Sequence, residues 1–239
     1  TMLIDRRDVV DNLRLGLDEL AVSWFYPGAP EFQTELQPLP YDPKAAMQLL
    51  EDAGWEDTDG DGLRDKNGAP LQFTFLYPVN NPFYEQLAGL LQSDMKLAGI
   101  RVETSRLEWA VFMERLRKHE FDACSLLWQL YPRSDPYQIW HSSEIGGGSN
   151  YISFRNSEVD GLLQAARGEF DEKKRLANYR RFAEILHEQQ PYTMLFNRYN
   201  LSLVSKSFGG VYSTPYGIFR YDEFFSRADA PKAVVSQQR

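Results

Sequence analysis

The chain is poor in the side chains that most often announce chemistry. It has one cysteine in 239 residues, so no intrachain disulfide can form. That residue, Cys124, stands in the apolar run ACSLLW, where a core thiol is expected before a nucleophile. Its three histidines, His119, His141 and His187, lie far apart with no partner at metal-ligand spacing, which argues against a zinc or nickel site built on imidazole. Positive charge is also short: 26 Lys and Arg face 34 Asp and Glu, for a net charge of −8. The basic residues are scattered, so the footprint of a nucleic-acid binder is missing. No apolar run of about 18 residues occurs, and the opening TMLIDRRDVV reads as neither signal peptide nor membrane span. The expectation is a soluble product, or a piece whose targeting segment lies elsewhere. There is no GxSxG, and no carboxylate pair is set in an apolar stretch that would raise one pKa for general-acid work. An enzyme is therefore not expected; the one acid and base pair that could be hidden is Asp135 with His141.

What the chain has is a core and a rhythm. Hydrophobic residues make up 43% and aromatics 14%, enough for one large domain or two small ones. Asp42 followed by Pro43 starts a helix with Ala46, Leu49, Leu50 and Ala53 on one stripe and Gly54 at its end. QFTFLY (72–77) reads as a strand. Asn81-Pro82 opens a second helix with Phe83, Leu87, Leu90, Leu91 and Ala98 inward, closed by Gly99 and followed by the alternating strand IRVETS. A third helix carries Trp109, Phe112, Met113 and Leu116, and FDACSLLW (121–128) is apolar enough for a central strand. Asn156 or Ser157 caps a helix over Val159, Leu162, Leu163 and Ala166, and Asp171 starts a longer one that runs to about Gln189 before Pro191. YTMLFN and LSLV read as strands, and the stretch from 226 carries no pattern. This order predicts an α/β fold with a mixed, mostly parallel sheet flanked by helices.

Two stretches stand out from that rhythm. In DTDGDGLRDKNG (57–68), Asp57, Asp59, Asp61 and Asp65 occupy the first, third, fifth and ninth places of a Ca²⁺ loop, with Gly62 at the sixth. The twelfth place holds Gly68 instead of a bidentate Glu, and the eighth holds Arg64 instead of an apolar residue. Asp and Gly are equally the residues of a tight polar hairpin, so a calcium clip and a structural turn both stay open. The second stretch, 129–155, loses periodicity and gathers prolines, glycines and aromatics. A loop this long in a compact domain is usually functional. Trp128, Tyr131, Tyr137, Trp140 and Tyr151, interleaved with Asp135 and Asn150, fit a ligand cleft beyond a strand end, and fit equally a loop packed down by its tryptophans. Gly146-Gly147-Gly148-Ser149-Asn150 lacks the Lys of a phosphate loop.

The ordered series DRRDVVDNLRLG, YDPKAAMQLLEDAGW, DTDGDGLRDKNGAPLQFTFLY, LLQSDMKLAGIRVE, FDACSLLW, SDPYQIWHSSEIGGGSNYISFRNSEVDGLL and QQPYTMLF resembles the bacterial extracellular solute-binding proteins of family 5, the oligopeptide, dipeptide and nickel receptors of ABC importers. The resemblance covers about residues 3–225. It implies a type II periplasmic-binding-protein lobe: residues 1–205 as the second ligand-binding lobe, 206–225 as a segment returning to a first lobe absent from this chain, and 226–239 as a tail. It further implies a peptide or similar solute held between two lobes, delivery to a membrane permease, and a periplasmic or extracytoplasmic location for the full protein. In peptide-binding members an Asp after this tryptophan holds the ligand's amino group. Here Trp128 matches, Tyr131 stands in the place of that Asp, Asp135 matches the later turn, and Asn150 and Tyr151 match the step after the glycine loop. Trp128, Tyr131, Asp135, Trp140 and Asn150 are accordingly the candidate ligand-binding residues. Apart from Ca²⁺ at the acidic loop, no cofactor is expected.

Overall fold

The computed structural model describes residues 1–131, 133–212, 214 and 225–226. The chain opens with a short helix α1 (Arg6–Asp8), capped by the Asp5 carboxylate, and continues into a π-helical turn, Val9–Leu13. Strand β1 (Glu19–Leu20) and a loop lead to α2 (Pro43–Asp52). A small hairpin follows, β2 (Asp65–Lys66) and β3 (Ala69–Pro70), and runs into β4 (Gln72–Pro78). Next come α3 (Pro82–Leu97), β5 (Arg101–Leu107), α4 (Trp109–Arg117) and β6 (Ala123–Cys124). The C-terminal part contains α5 (Tyr137–Trp140), α6 (Ser157–Gly168), α7 (Glu172–Gln189), β7 (Phe196–Asn197), β8 (Phe208–Gly209) and β9 (Phe225–Ser226).

The helix starts follow from capping. Asp42 accepts from the Ala45 N–H at 3.0 Å, Asn81 from Phe83 at 3.1 Å, Asn156 from Glu158 at 2.9 Å and Asp171 from Lys174 at 3.1 Å. Each satisfies a backbone donor that has no partner within its own helix. Gln190, at φ 48°, turns the chain out of α7 just before Pro191.

The sheet has the order β5-β4-β6, and both pairings are parallel. Alternation along β4 divides its side chains between two layers. Phe75 and Tyr77 join Leu87, Leu91 and Met95 of α3 in one core, while Leu76 meets Phe112 and Leu116 of α4 in another. A separate helical layer pairs α6 with α7 around Val159, Leu163, Phe182 and Leu186, with Trp24, Phe25 and Trp140 packed into it. Between the sheet and this layer runs a ribbon in which β1 pairs antiparallel with β7. Arg6 fixes the ribbon from inside. Its guanidinium is buried and donates to three carbonyl oxygens, those of Ala21 (3.3 Å), Met194 (2.9 Å) and Leu39 (2.7 Å). Burial lowers its pKa from the usual arginine value.

Several expectations are corrected. Only Ala123–Cys124 of the run 121–128 pairs in the sheet, and it lies at the edge: β4 is the central strand, with its two flanking partners already in place. YTMLFN contributes only Phe196–Asn197 to a strand, and Leu201–Val204 forms none, with its side chains exposed. On α2 the inward residues are Ala46, Met47 and Leu50, whereas Leu49 faces out; on α4 Trp109 is exposed and stacks along Phe112. The loop 129–155 contains α5 and a 3-10 turn, Ser142–Glu144. Strand β9 reaches Ser226, the first residue of the expected tail, and 227–239 lie outside the described residues.

Candidate functional site

The sheet and the ribbon do not close on each other. Among the described residues, strand β6 has a partner on one side only, and so does β7. Between these two free edges lies a cleft of about 470 Å³, lined by 121–128 on one wall and 191–197 on the other. Among the described residues no backbone hydrogen bond crosses from Ser125–Leu130 to Pro191–Leu195. The surface of the cleft is mostly aromatic and aliphatic. Trp128 and Tyr151 stack with ring centroids 6.0 Å apart at 15°, and Trp24 meets Trp128 edge-on at 6.4 Å. Burial raises the Tyr192 pKa well above the phenol range, and raises the Cys124 thiol to about 12, so both groups are neutral across the physiological range.

Of the five residues proposed from sequence, the structure places only Trp128 on this cleft. Tyr131 is 45% exposed and belongs to a turn, its N–H bonded to Ser134 Oγ at 2.7 Å and its hydroxyl accepting from Gln129 at 2.8 Å. Asp135 accepts from the Tyr137 N–H at 3.0 Å and pairs with Arg167 at 2.9 Å, with that guanidinium 4.2 Å from the centre of the Tyr137 ring. A carboxylate so engaged ties the start of α5 to Arg167 of α6 and is not part of the cleft lining. Trp140 is fully buried among Trp24, Phe154, Phe182 and Tyr192. Asn150, also fully buried, donates to the carbonyls of His141 (3.1 Å) and Phe154 (2.9 Å) and accepts from the Phe154 N–H (2.9 Å). Trp140 and Asn150 hold the loop down and leave Leu130, Tyr151 and Ile152 as its members on the cleft.

The residues that sequence reasoning missed come from distant segments: Trp24, Tyr84, Tyr192, Met194 and Asn197. No local pattern marks them, since each is an ordinary apolar or polar residue of a short strand, helix or loop. His119 also gains a role that no spacing announces. Its Nδ1 lies 2.7 Å from the Tyr151 carbonyl oxygen and its Nε2 2.9 Å from that of Ile145, so it anchors the glycine loop from beneath.

The hydrolase pair does not assemble. Asp135 goes to Arg167, while His141 bonds to Ser143 Oγ at 2.9 Å and Gln164 at 2.9 Å and lies 3.9 Å from Asp160. In the acidic loop, carboxylate oxygens of Asp57, Asp59 and Asp61 come within 4.8 Å of one another. Asp65 does not join them: its Oδ2 accepts from Thr58 N and Oγ1 at 3.1 and 2.7 Å, because its backbone is committed to β2. The other three cap their own turn, Asp57 accepting from Gly60 and Gly62 at 2.8 and 2.9 Å, Asp59 from Asp61 at 3.2 Å, and Asp61 from Leu63 at 2.8 Å. Arg64, the residue that departs from the Ca²⁺ pattern, clamps the loop to the body through Ala98 O (2.9 Å), Trp55 O (2.8 Å) and Glu51 (3.1 Å).

Comparison with known proteins decides the family. The model of "Bacterial extracellular solute-binding proteins, family 5 Middle" matches residues 1–150. The chain belongs to family 5. Among the relatives of this family 5 chain is the oligopeptide-binding protein AppA of Bacillus subtilis (strain 168), 35% identical over 207 residues that make up 82% of this chain and 37% of AppA. Heme-binding protein A of Haemophilus influenzae is 28% identical over 93% of this chain and 39% of its own length. In three dimensions, the solved structure of AppA with a nonapeptide superposes with a TM-score of 0.84 at 30% identity, covering 94% of this chain and 46% of that one. The oligopeptide-binding protein of Thermus thermophilus, complexed with a pentapeptide, gives a TM-score of 0.78 at 24% identity over 90% of this chain and 39% of that one, a likeness of fold. The family 5 chain thus has the fold of a type II periplasmic-binding-protein lobe, and spans less than half the length of the relatives it matches.

Proposed function

We propose that this chain is one lobe of a solute receptor for an ABC importer, that the cleft between β6 and β7 is the wall it offers to the ligand, and that the ligand is a peptide. The observation that carries the reading is the pair of free strand edges facing a cleft walled by Trp24, Trp128, Tyr151 and Tyr192. An extended peptide adds to such edges through its backbone while aromatic faces take its side chains. A second lobe closing over it by a hinge would supply the remaining contacts, and the closed receptor would hand the solute to a membrane permease. Membership of a family of bacterial extracellular solute-binding proteins supports a periplasmic or extracytoplasmic location.

The experiment is to purify the receptor containing this lobe from its host, denature it, and identify the released small molecules by mass spectrometry. Peptides in near-stoichiometric amount support the reading; sugars or metal chelates in their place would sink it. Replacing Trp128 with Ala in the same protein should empty the preparation.

A Ca²⁺ clip on the acidic loop is the second reading, favoured by the grouping of Asp57, Asp59 and Asp61 within 4.8 Å. It requires a rise in Tm with Ca²⁺ that chelator reverses and Asp59→Ala abolishes. A Tm indifferent to both ions and chelator leaves the loop as a turn held by its own hydrogen bonds.

A further inference from the structure

We infer that this lobe selects against charge: the part of the ligand seated in the cleft is an uncharged, apolar or aromatic stretch of an extended peptide, and neither ligand terminus is read here. The inference rests on the peptide reading above. Its ground is the chemistry of the cleft lining.

Among the described residues, no Lys, Arg or His side chain lines the cleft, so no cationic side chain there can pair with a ligand carboxylate. That lining holds a single carboxylate, Asp122, whose Oδ2 accepts from the Thr74 N–H at 2.9 Å. Tyr131 stands in place of the Asp that holds a ligand ammonium in peptide-binding members, and the other candidate, Asp135, lies off the cleft and is paired with Arg167 at 2.9 Å. Burial raises the pKa of Tyr84, Tyr192 and Cys124, the last to about 12, which favours their neutral forms. A charge moved from water into such walls loses its hydration with no partner in return. An aromatic or aliphatic side chain gains by the same transfer.

The lining also contains a polar group of the kind that fixes a peptide backbone. Asn197, on β7, has a buried Nδ2 with no hydrogen-bond partner among the described residues. An amide N–H left unpaired in an apolar wall is costly, and a backbone carbonyl of a strand laid along β7 would satisfy it. The cleft therefore offers neutral donors, Asn197 Nδ2 among them, and a set of apolar faces, with no cationic side chain among its described residues.

The test uses the 239-residue chain and four pentapeptides: three N-acetylated and C-amidated, identical except for Phe, Lys or Glu at the centre, and the Phe peptide with free termini. Binding is read from the indole N–H resonances of Trp24 and Trp128. A single wall should give weak affinities, so titrations run to about 10 mM. The blocked Phe peptide should bind at least about tenfold tighter than the Lys and Glu peptides, and freeing its termini should bring no gain. Asn197→Asp and, on the opposite wall, Ser125→Asp should each weaken the Phe peptide and improve the Lys peptide relative to it. Equal or tighter binding of the Lys or Glu peptide, or tighter binding of the free-ended Phe peptide, overturns the inference while leaving the peptide reading intact. Movement by none of the four in a chain that still melts cooperatively overturns both. If neither Asp variant changes the ranking, the ligand does not lie between these walls and the inference falls.

Discussion

Asn150, a ligand candidate by its place in the sequence, serves the loop beside it. Its amide makes three hydrogen bonds within the segment 141–154, from a fully buried position. Removal leaves the Phe154 carbonyl and N–H without their Asn150 partner and takes one of two donors from the His141 carbonyl, so Asn150→Ala should cost about 2–4 kcal/mol in urea unfolding, and Asn150→Asp, which keeps only the acceptor, should not rescue it. Asp94 makes a second case at the scale of one side chain. Its Oδ2 is buried without a partner among the described residues. Burial, and then the charges of Asp5 and Asp8, raise its pKa against the opposing pull of the Asp5 N–H. A carboxyl raised in the folded state favours folding while protonated and loses that contribution as pH climbs through its folded pKa. Asp94→Asn should therefore raise Tm at pH 7, with the gain fading as pH falls below the ordinary carboxylate range. An equal gain at both pH values would refute the assignment.

Among the elements, the turn after α2 joins a local pattern to a tertiary lock. Asp57, Asp59 and Asp61 shape the loop, Asn67 and Gly68, both at positive φ, turn the hairpin, and Arg64 pins it to the end of α3. Gly99 closes the lock. It sits at φ +74°, its carbonyl accepts from the Arg64 N–H at 2.8 Å, and a Cβ there would stand 2.9 Å from Arg64 Cγ. Because three further contacts hold the Arg64 side chain, it cannot swing aside cheaply. Gly99→Ala should lower stability by about 2 kcal/mol or more, from the left-handed backbone and the contact together, seen as a fall in the urea midpoint at unchanged m-value. A shift no larger than that of Gly89→Ala, which meets open space, would contradict this.

For the molecule as a whole, the described C-terminal stretch carries exposed apolar side chains. Leu201 is 68% exposed, Leu203 103% and Phe208 49%, in a chain that spans under half the length of its relatives. Such surface belongs against a partner or promotes association. Replacing Leu203 and Phe208 by Ser should leave Tm nearly unchanged and reduce self-association in sedimentation velocity. A large fall in Tm would place these residues in the fold of the lobe instead.

The sequence by itself determined the longer helices, the caps of four of them and the parallel β4–β5 pair, because capping and periodicity act over a few residues: Asp42, Asn81, Asn156 and Asp171 each cap the helix they begin. The ordered run of segments also carried the family. Which side chains face the cleft was decided only by tertiary structure. Trp128 and Trp140 belong to one stretch of chain, yet the first lies on the cleft and the second in the helical core. That outcome depends on where α6 and α7 pack and on Arg6 drawing residues 21, 39 and 194 together. Contacts closed across so many residues leave no local spacing to read; they exist only once the separate layers are assembled.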